Sequence, residues 1–157
     1  MEDYPKNKKI FTPHQAKLKA ESYCAYQERA QQEVRDKLYD WGLHESQVEQ
    51  IIAELISDNF LNEERFAKAF ALGKFRIKHW GKIKIKQHLK LKRVSDPLIR
   101  IALNEIDLDD YEEKILKLIT DKLGANTGKL SLLEKSKLLR YMQAKGYESA
   151  LIFAHLK

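Results

Sequence analysis

Leu38, Leu43, Val48, Ile52 and Leu55 recur 51 positions later as Leu89, Val94, Ile99, Leu103 and Ile106. Met142, Tyr147, Ile152 and Leu156 take up the same pattern 53 positions after Leu89, Val94, Ile99 and Leu103. An apolar pattern that returns about every 50 residues marks stacked helical units, each burying one face against its neighbour. Such arrays present long surfaces, which favours binding over chemistry. The expected fold is all-α: three tandem three-helix repeats forming an elongated, curved helical array. The expected boundaries are a mobile tail at 1–11, a first repeat at 12–61, a second, basic repeat at 62–107 and a third at 108–157.

Local signals place the helices. Thr12-Pro13 reads as cap and first helical position, and that helix runs to about Arg29 with Ala16, Ala20, Tyr23 and Gln27 inward. A second helix spans about Gln32 to Trp41, Gly42 ends it in the left-handed conformation, and Ser46 opens a third. Asn62, followed by Glu63 and Glu64, opens the middle repeat. Phe66, Phe70, Ile77 and Trp80 form its expected inner stripe, and Gly81 breaks the helix. Lys82–Lys86 alternates like a strand, yet its copies at 31–35 and 135–139 do not, so helix is expected, with Ile85 and Leu89 inward. Asp96-Pro97 caps the next helix, to about Glu105. Tyr111, Ile115, Leu118 and Ile119 face inward in the third repeat. Gly124 to Gly128 forms a loop, a helix runs from about Ser131 to Lys145, and Ser149 caps the last.

The charge is concentrated. The chain carries a net +6, but Arg65 to Arg100 holds twelve lysines and arginines against one acid, Asp96. That segment is +11 and the remainder −5. A field of this kind draws in polyanions and acidic protein surfaces. Lys82, Lys86 and Lys90 share one ridge by their spacing of four. With Arg65, Lys68, Lys74, Arg76 and Lys78 they are the candidate contact residues.

Chemistry finds little support. The five histidines and Cys24 lack the spacing of metal ligands, and Gly124-x-x-x-Gly128-Lys129-Leu130 lacks the length and the hydroxyl of a phosphate loop. No catalytic group, cofactor, metal or small-molecule substrate is expected. No stretch nears the roughly 20 apolar residues of a membrane span. The N-terminus has no secretory pattern and a lone cysteine suits a reducing interior, so a cytoplasmic protein is expected.

Glu33-Val34-x-x-Lys37-Leu38-x-x-Trp41-Gly42-Leu43, Phe60-Leu61-Asn62-Glu63-Glu64-Arg65-Phe66-Ala67 and Trp80-Gly81-x-x-Lys84-Ile85-x-x-His88-Leu89 resemble the RecX family, regulators of the RecA recombinase. The resemblance covers about Ala20 to Leu156 and is strongest in the middle repeat. Lys84, His88 and Arg93 stand where the family usually has arginine, glutamate and glycine. At Arg93 the chain must therefore adopt a left-handed conformation or end its helix differently. The resemblance implies docking in the groove of the RecA–DNA filament and modulation, chiefly inhibition, of recombinase, ATPase and coprotease activity in recombination, DNA repair and the SOS response. Direct but weak DNA binding fits the charge. A non-specific nucleic-acid-binding helical module acting without RecA, and a general helical adaptor, are the competing readings.

Overall fold

The computed structural model describes residues 10–124 and 128–156. The tail expected over 1–11 lies, as far as residue 9, outside the described residues, as does the centre of the 124–128 loop. The described residues form nine α-helices and no strand: α1 Pro13–Tyr26, α2 Gln31–Asp40, α3 Glu45–Ser57, α4 Glu63–Arg76, α5 Lys82–Leu91, α6 Asp96–Asn104, α7 Leu108–Leu123, α8 Leu132–Ala144 and α9 Ser149–Ala154. The chain divides into two compact units, Met1–Phe66 and Ala67–Lys157.

In the first unit, α1 starts on a reciprocal cap. The Thr12 hydroxyl accepts from the Gln15 N–H, and the Gln15 side chain accepts from the Thr12 N–H. Ala16, Ala20 and Cys24 of α1 meet Val34 and Leu38 of α2 and Val48, Ile51, Ile52 and Leu55 of α3 in one core. Alanines on this face let α1 lie close to its neighbours. Cys24, not Tyr23 or Gln27, therefore completes the inner stripe, and Tyr23 is half-buried. The helix also stops three residues before Arg29. Gln27 is extended, and the Arg29 guanidinium donates to the Tyr23 carbonyl at 2.9 Å, satisfying an acceptor the helix end leaves open. Ala30 has no side-chain acceptor to cap α2, and the Gln31 N–H instead donates to Glu63 Oε1 at 2.7 Å.

One turn recurs along the chain. Gly42 (φ 89°), Arg93 (φ 60°) and Gly146 (φ 97°) are left-handed. Each is followed by an N–H that returns to the helix it closes: Leu43 to Leu38 O at 3.3 Å, Val94 to Leu89 O at 3.1 Å and Tyr147 to Met142 O at 3.2 Å. The left-handed residue turns the chain so that the next apolar side chain falls back on the core, where Leu43, Val94 and Tyr147 are all buried. Arg93 adopts this left-handed conformation although it carries a Cβ.

In the second unit, α4 departs from expectation. It ends at Arg76, and His79 is left-handed with φ 60°, so Ile77 sits past the helix and is 75% exposed. The buried face is Phe66, Ala67, Ala71 and Phe75; Phe70 and Trp80 are half-buried. Two helical stripes run along this segment at adjacent phases. The one carrying two alanines goes inward because it allows close approach, and Phe75 then reaches Tyr111 of α7 at 5.8 Å between ring centres. Residues 82–91 are helical, with Ile85 and Leu89 buried. In α7, Tyr111, Ile115, Leu118 and Ile119 are buried, and Asp107 caps the helix.

The start of α5 is docked on the α8–α9 turn. Gly81 N–H donates to Lys145 O at 2.7 Å, and Ile83 N–H donates to Gly146 O at 3.0 Å. Between them the Lys82 N–H donates to Tyr111 Oη at 2.9 Å, and the Tyr111 hydroxyl donates to Glu148 Oε1 at 2.6 Å. A Cβ on Gly81 would collide with the Gly146 carbonyl, and one on Gly146 would lie 2.6 Å from the Lys84 backbone nitrogen.

Gly146→Ala is expected to destabilise the second unit by at least about 2 kcal/mol, combining a backbone clash with a left-handed alanine. Gly73→Ala, with nothing within 4 Å of its added methyl, should gain about 0.5–1 kcal/mol by removing a helical glycine. Denaturant unfolding measures both, and a Gly146→Ala protein as stable as the parent contradicts the docking. By the same method Arg93→Gly should stabilise by about 0.5–1 kcal/mol; a drop in stability would show that Arg93 is not strained.

Candidate functional site

The twelve basic residues of the middle segment do not share one role. Arg65 is committed internally. Its Nε donates to Glu28 at 2.6 Å, and its Nη atoms donate to Asn59 Oδ1 at 3.2 Å and to the Asn59 carbonyl at 3.1 Å. It fixes the turn before α4, where Asn59 is left-handed. Lys68 lies 3.4 Å from Glu105 in an ion pair. Arg76 and Lys78 are exposed.

Helix α5 carries the rest in two rows either side of its buried Ile85 and Leu89. On one row, Lys86 and Lys90 are exposed and Lys82 is half-buried. The Lys82 ammonium lies 4.8 Å above the Tyr111 ring, and Lys90 is 3.8 Å from Asp96. On the other row, Lys84, His88 and Lys92 recur at the same spacing of four and lie beside aromatic rings. The Trp80 ring is 4.5 Å from the His88 ring and 6.4 Å from Phe70. Lys84 and Lys74 place their ammonium groups 4.6 and 5.0 Å from the centre of Trp80. Lys74 and Lys92 lie 5.4 and 5.8 Å from Phe70. Sequence reasoning named the first row and missed the second; the spacing of 84, 88 and 92 was the available signal.

The field of these cations is felt by the imidazoles. His88 is held below its ordinary value by burial and by Lys84, Lys74 and Lys92. His79 is held low by burial and by Lys114, Lys145 and Lys117. The Lys114 ammonium, itself lowered by burial and Lys117, donates to His79 Nδ1 at 2.6 Å. Both rings are therefore neutral at pH 7, in a surface that attracts anions.

The remaining chemistry is sparse. Cys24 is buried, and burial pushes its thiol up to about 11, so the nucleophilic thiolate is scarce. Among the described residues no three His, Cys, Asp or Glu side chains gather to hold a metal ion, and no helix is long and apolar enough to cross a membrane.

The description "RecX, first three-helix domain" matches residues 16–55, and "RecX, second three-helix domain" matches 62–103, together more than half of the chain. The chain belongs to the RecX family. The regulatory protein RecX of Lactobacillus johnsonii is 32% identical over 152 residues, covering 96% of this chain and 56% of that protein. The RecX of Clostridium perfringens is 33% identical over 122 residues, covering 76% and 57%. The chain thus spans about half the length of the curated relatives it matches. In fold it is similar to the crystal structure of RecX from Lactobacillus salivarius, with a TM-score of 0.80 at 25% identity over 91% of this chain and 93% of that one. A second RecX crystal structure gives 0.77 at 21% identity over 91% and 72%. The relatives carry the name of regulatory proteins, and none of those names is an enzyme's.

Acidification should weaken the second unit. His79 and His88 are depressed from 6.5 in the folded chain, so below about pH 6.5 the unfolded chain binds more protons and stability falls with pH. The decline begins at the unfolded value and levels off beneath the folded ones. Melting at pH 7.5 and 5.5 measures it, and His88→Gln should shrink the difference. A melting temperature that rises on acidification in proportion to these two histidines contradicts the assignment.

Proposed function

We propose that this chain docks in the groove of the RecA–DNA filament and restrains its recombinase, ATPase and coprotease activities, acting as a regulator and not as an enzyme. The reading is supported by membership of a family whose members are named regulatory proteins. The observation that carries it is the row Lys82, Lys86 and Lys90 on a helix pinned at its start, in the same basic segment as the exposed Arg76 and Lys78. A filament is a repeating polyanion flanked by protein, and a row of lysines at helical spacing fits phosphates or acidic side chains along it. Three tandem three-helix repeats, at 12–61, 62–107 and 108–157, would set successive surfaces along such a polymer. Bridging neighbouring subunits holds them in one arrangement and opposes the motions tied to ATP turnover. Lys68 and Lys74 complete the proposed contact set, DNA being touched directly but weakly. The place of action is taken to be the cytoplasm.

The test is RecA-filament ATPase on single-stranded DNA at two salt concentrations, with and without the protein. Inhibition is expected, and replacing Lys82, Lys86 and Lys90 together by glutamine should weaken it about tenfold. The slope of log affinity against log salt should flatten by roughly 0.7 for each phosphate that the variant no longer neutralises. ATPase unchanged at saturation would refute the reading. An unchanged salt slope with weakened inhibition assigns the row to protein contacts. Binding to DNA with no effect on RecA would favour the independent nucleic-acid module.

A further inference from the structure

Trp80 is the largest side chain in the basic segment that the core does not claim. It is half-buried, outside any helix, and fixed at its backbone, since its N–H donates to Lys74 O at 3.1 Å and the next residue is tied to Lys145. Phe70 meets it edge-on and His88 lies tilted against it. Its neighbours include the ammonium groups of Lys84 and Lys74. These cations, from α4 and α5, can swing from the ring to an incoming phosphate without moving the backbone.

The geometry points to a base-stacking seat at this place: Trp80, walled by Phe70 and His88, takes one nucleobase of a single-stranded nucleic acid while Lys74, Lys84 and Lys92 take the flanking phosphates. Only a single strand fits, because a base must leave its own stack before it can lie on an indole. The ring supplies sequence-tolerant contact and the lysines supply the salt-dependent part. The neutral His88 ring adds aromatic surface without competing for phosphate. The seat rests on the reading that this face meets nucleic acid, and it deepens that reading by naming the stacked base.

The test uses the full chain carrying Trp41→Phe, so that Trp80 alone fluoresces. It is titrated with an oligothymidylate of about 12 nucleotides and with an abasic phosphodiester strand of the same length. Stacking predicts quenching by the thymidylate only, with about tenfold tighter binding than the abasic strand. Trp80→Ala in the parent chain, followed with a labelled oligonucleotide, should reduce thymidylate to the abasic affinity, and Trp80→Phe should restore most of the difference. Lys74→Gln with Lys84→Gln should weaken both strands alike. Equal affinities without quenching mean that any polyanion, an acidic protein included, satisfies the surface, and the seat is overturned. Should Trp80→Ala fail to fold, the quenching of the Trp41→Phe protein decides alone. RecA ATPase measured on the same proteins separates the two readings. Inhibition without a thymidylate preference overturns the seat and leaves filament regulation standing, whereas the preference without inhibition does the reverse.

Discussion

The start of a helix leaves amide hydrogens without partners inside that helix. In α5 three of them find acceptors elsewhere: Gly81 and Ile83 on the carbonyls of the α8–α9 turn, and Lys82 on the Tyr111 hydroxyl. The need is acute, because α5 opens with lysines and has no acid in its first turn, placing positive charge at the positive end of the helix dipole. Glu148 supplies the missing negative charge at one remove, by accepting a hydrogen bond from the Tyr111 hydroxyl. Glycine at 81 and at 146 is the condition for the approach, since a methyl group at either position meets backbone atoms. The dock thus lets a strongly basic helix exist and sets the direction of its two rows of cations. The first unit solves the same problem in another way, capping α2 with the carboxylate of Glu63, whose pKa is raised by burial.

Much of the fold was legible because it is written in local rules. Thr12, Asn62 and Ser131 accept from their own first turns, and Gly42 and Gly146 are left-handed where the apolar pattern turns back. The alternation of Lys82 to Lys86 suggested a strand, and comparison with the copies at 31–35 and 135–139 correctly overrode it. The inner face of α4 was not legible. Phe66 faces inward as expected, but beyond it Phe70, Ile77 and Trp80 and the alternative Ala67, Ala71 and Phe75 both follow helical spacing; bulk favours the first set, and only closeness to Tyr111 and its neighbours selects the second. The end of α4 was missed for a related reason, as a left-handed histidine at 79 carries no sequence signal of its own.

For the site, the concentration of charge was plain, but its division was hidden. Arg65 looks like its neighbours in sequence, yet its partner Glu28 lies 37 residues away, and no local pattern foretells that pairing. Lys84, His88 and Lys92 were overlooked because a run of basic residues on a helix reads as solvated surface until aromatic rings are found beside it. Arg93 keeps a turn that glycine makes easily, and His88 brings an aromatic ring to Trp80.

The dock at the start of α5 is tested most directly by amide hydrogen exchange resolved by residue. Gly81 and Ile83 are expected to exchange only when the whole second unit opens, as slowly as the amides of Ile85 and Leu89 in the helix core. Exchange at Gly81 and Ile83 as fast as at a frayed helix end, with the core amides still protected, would contradict the account.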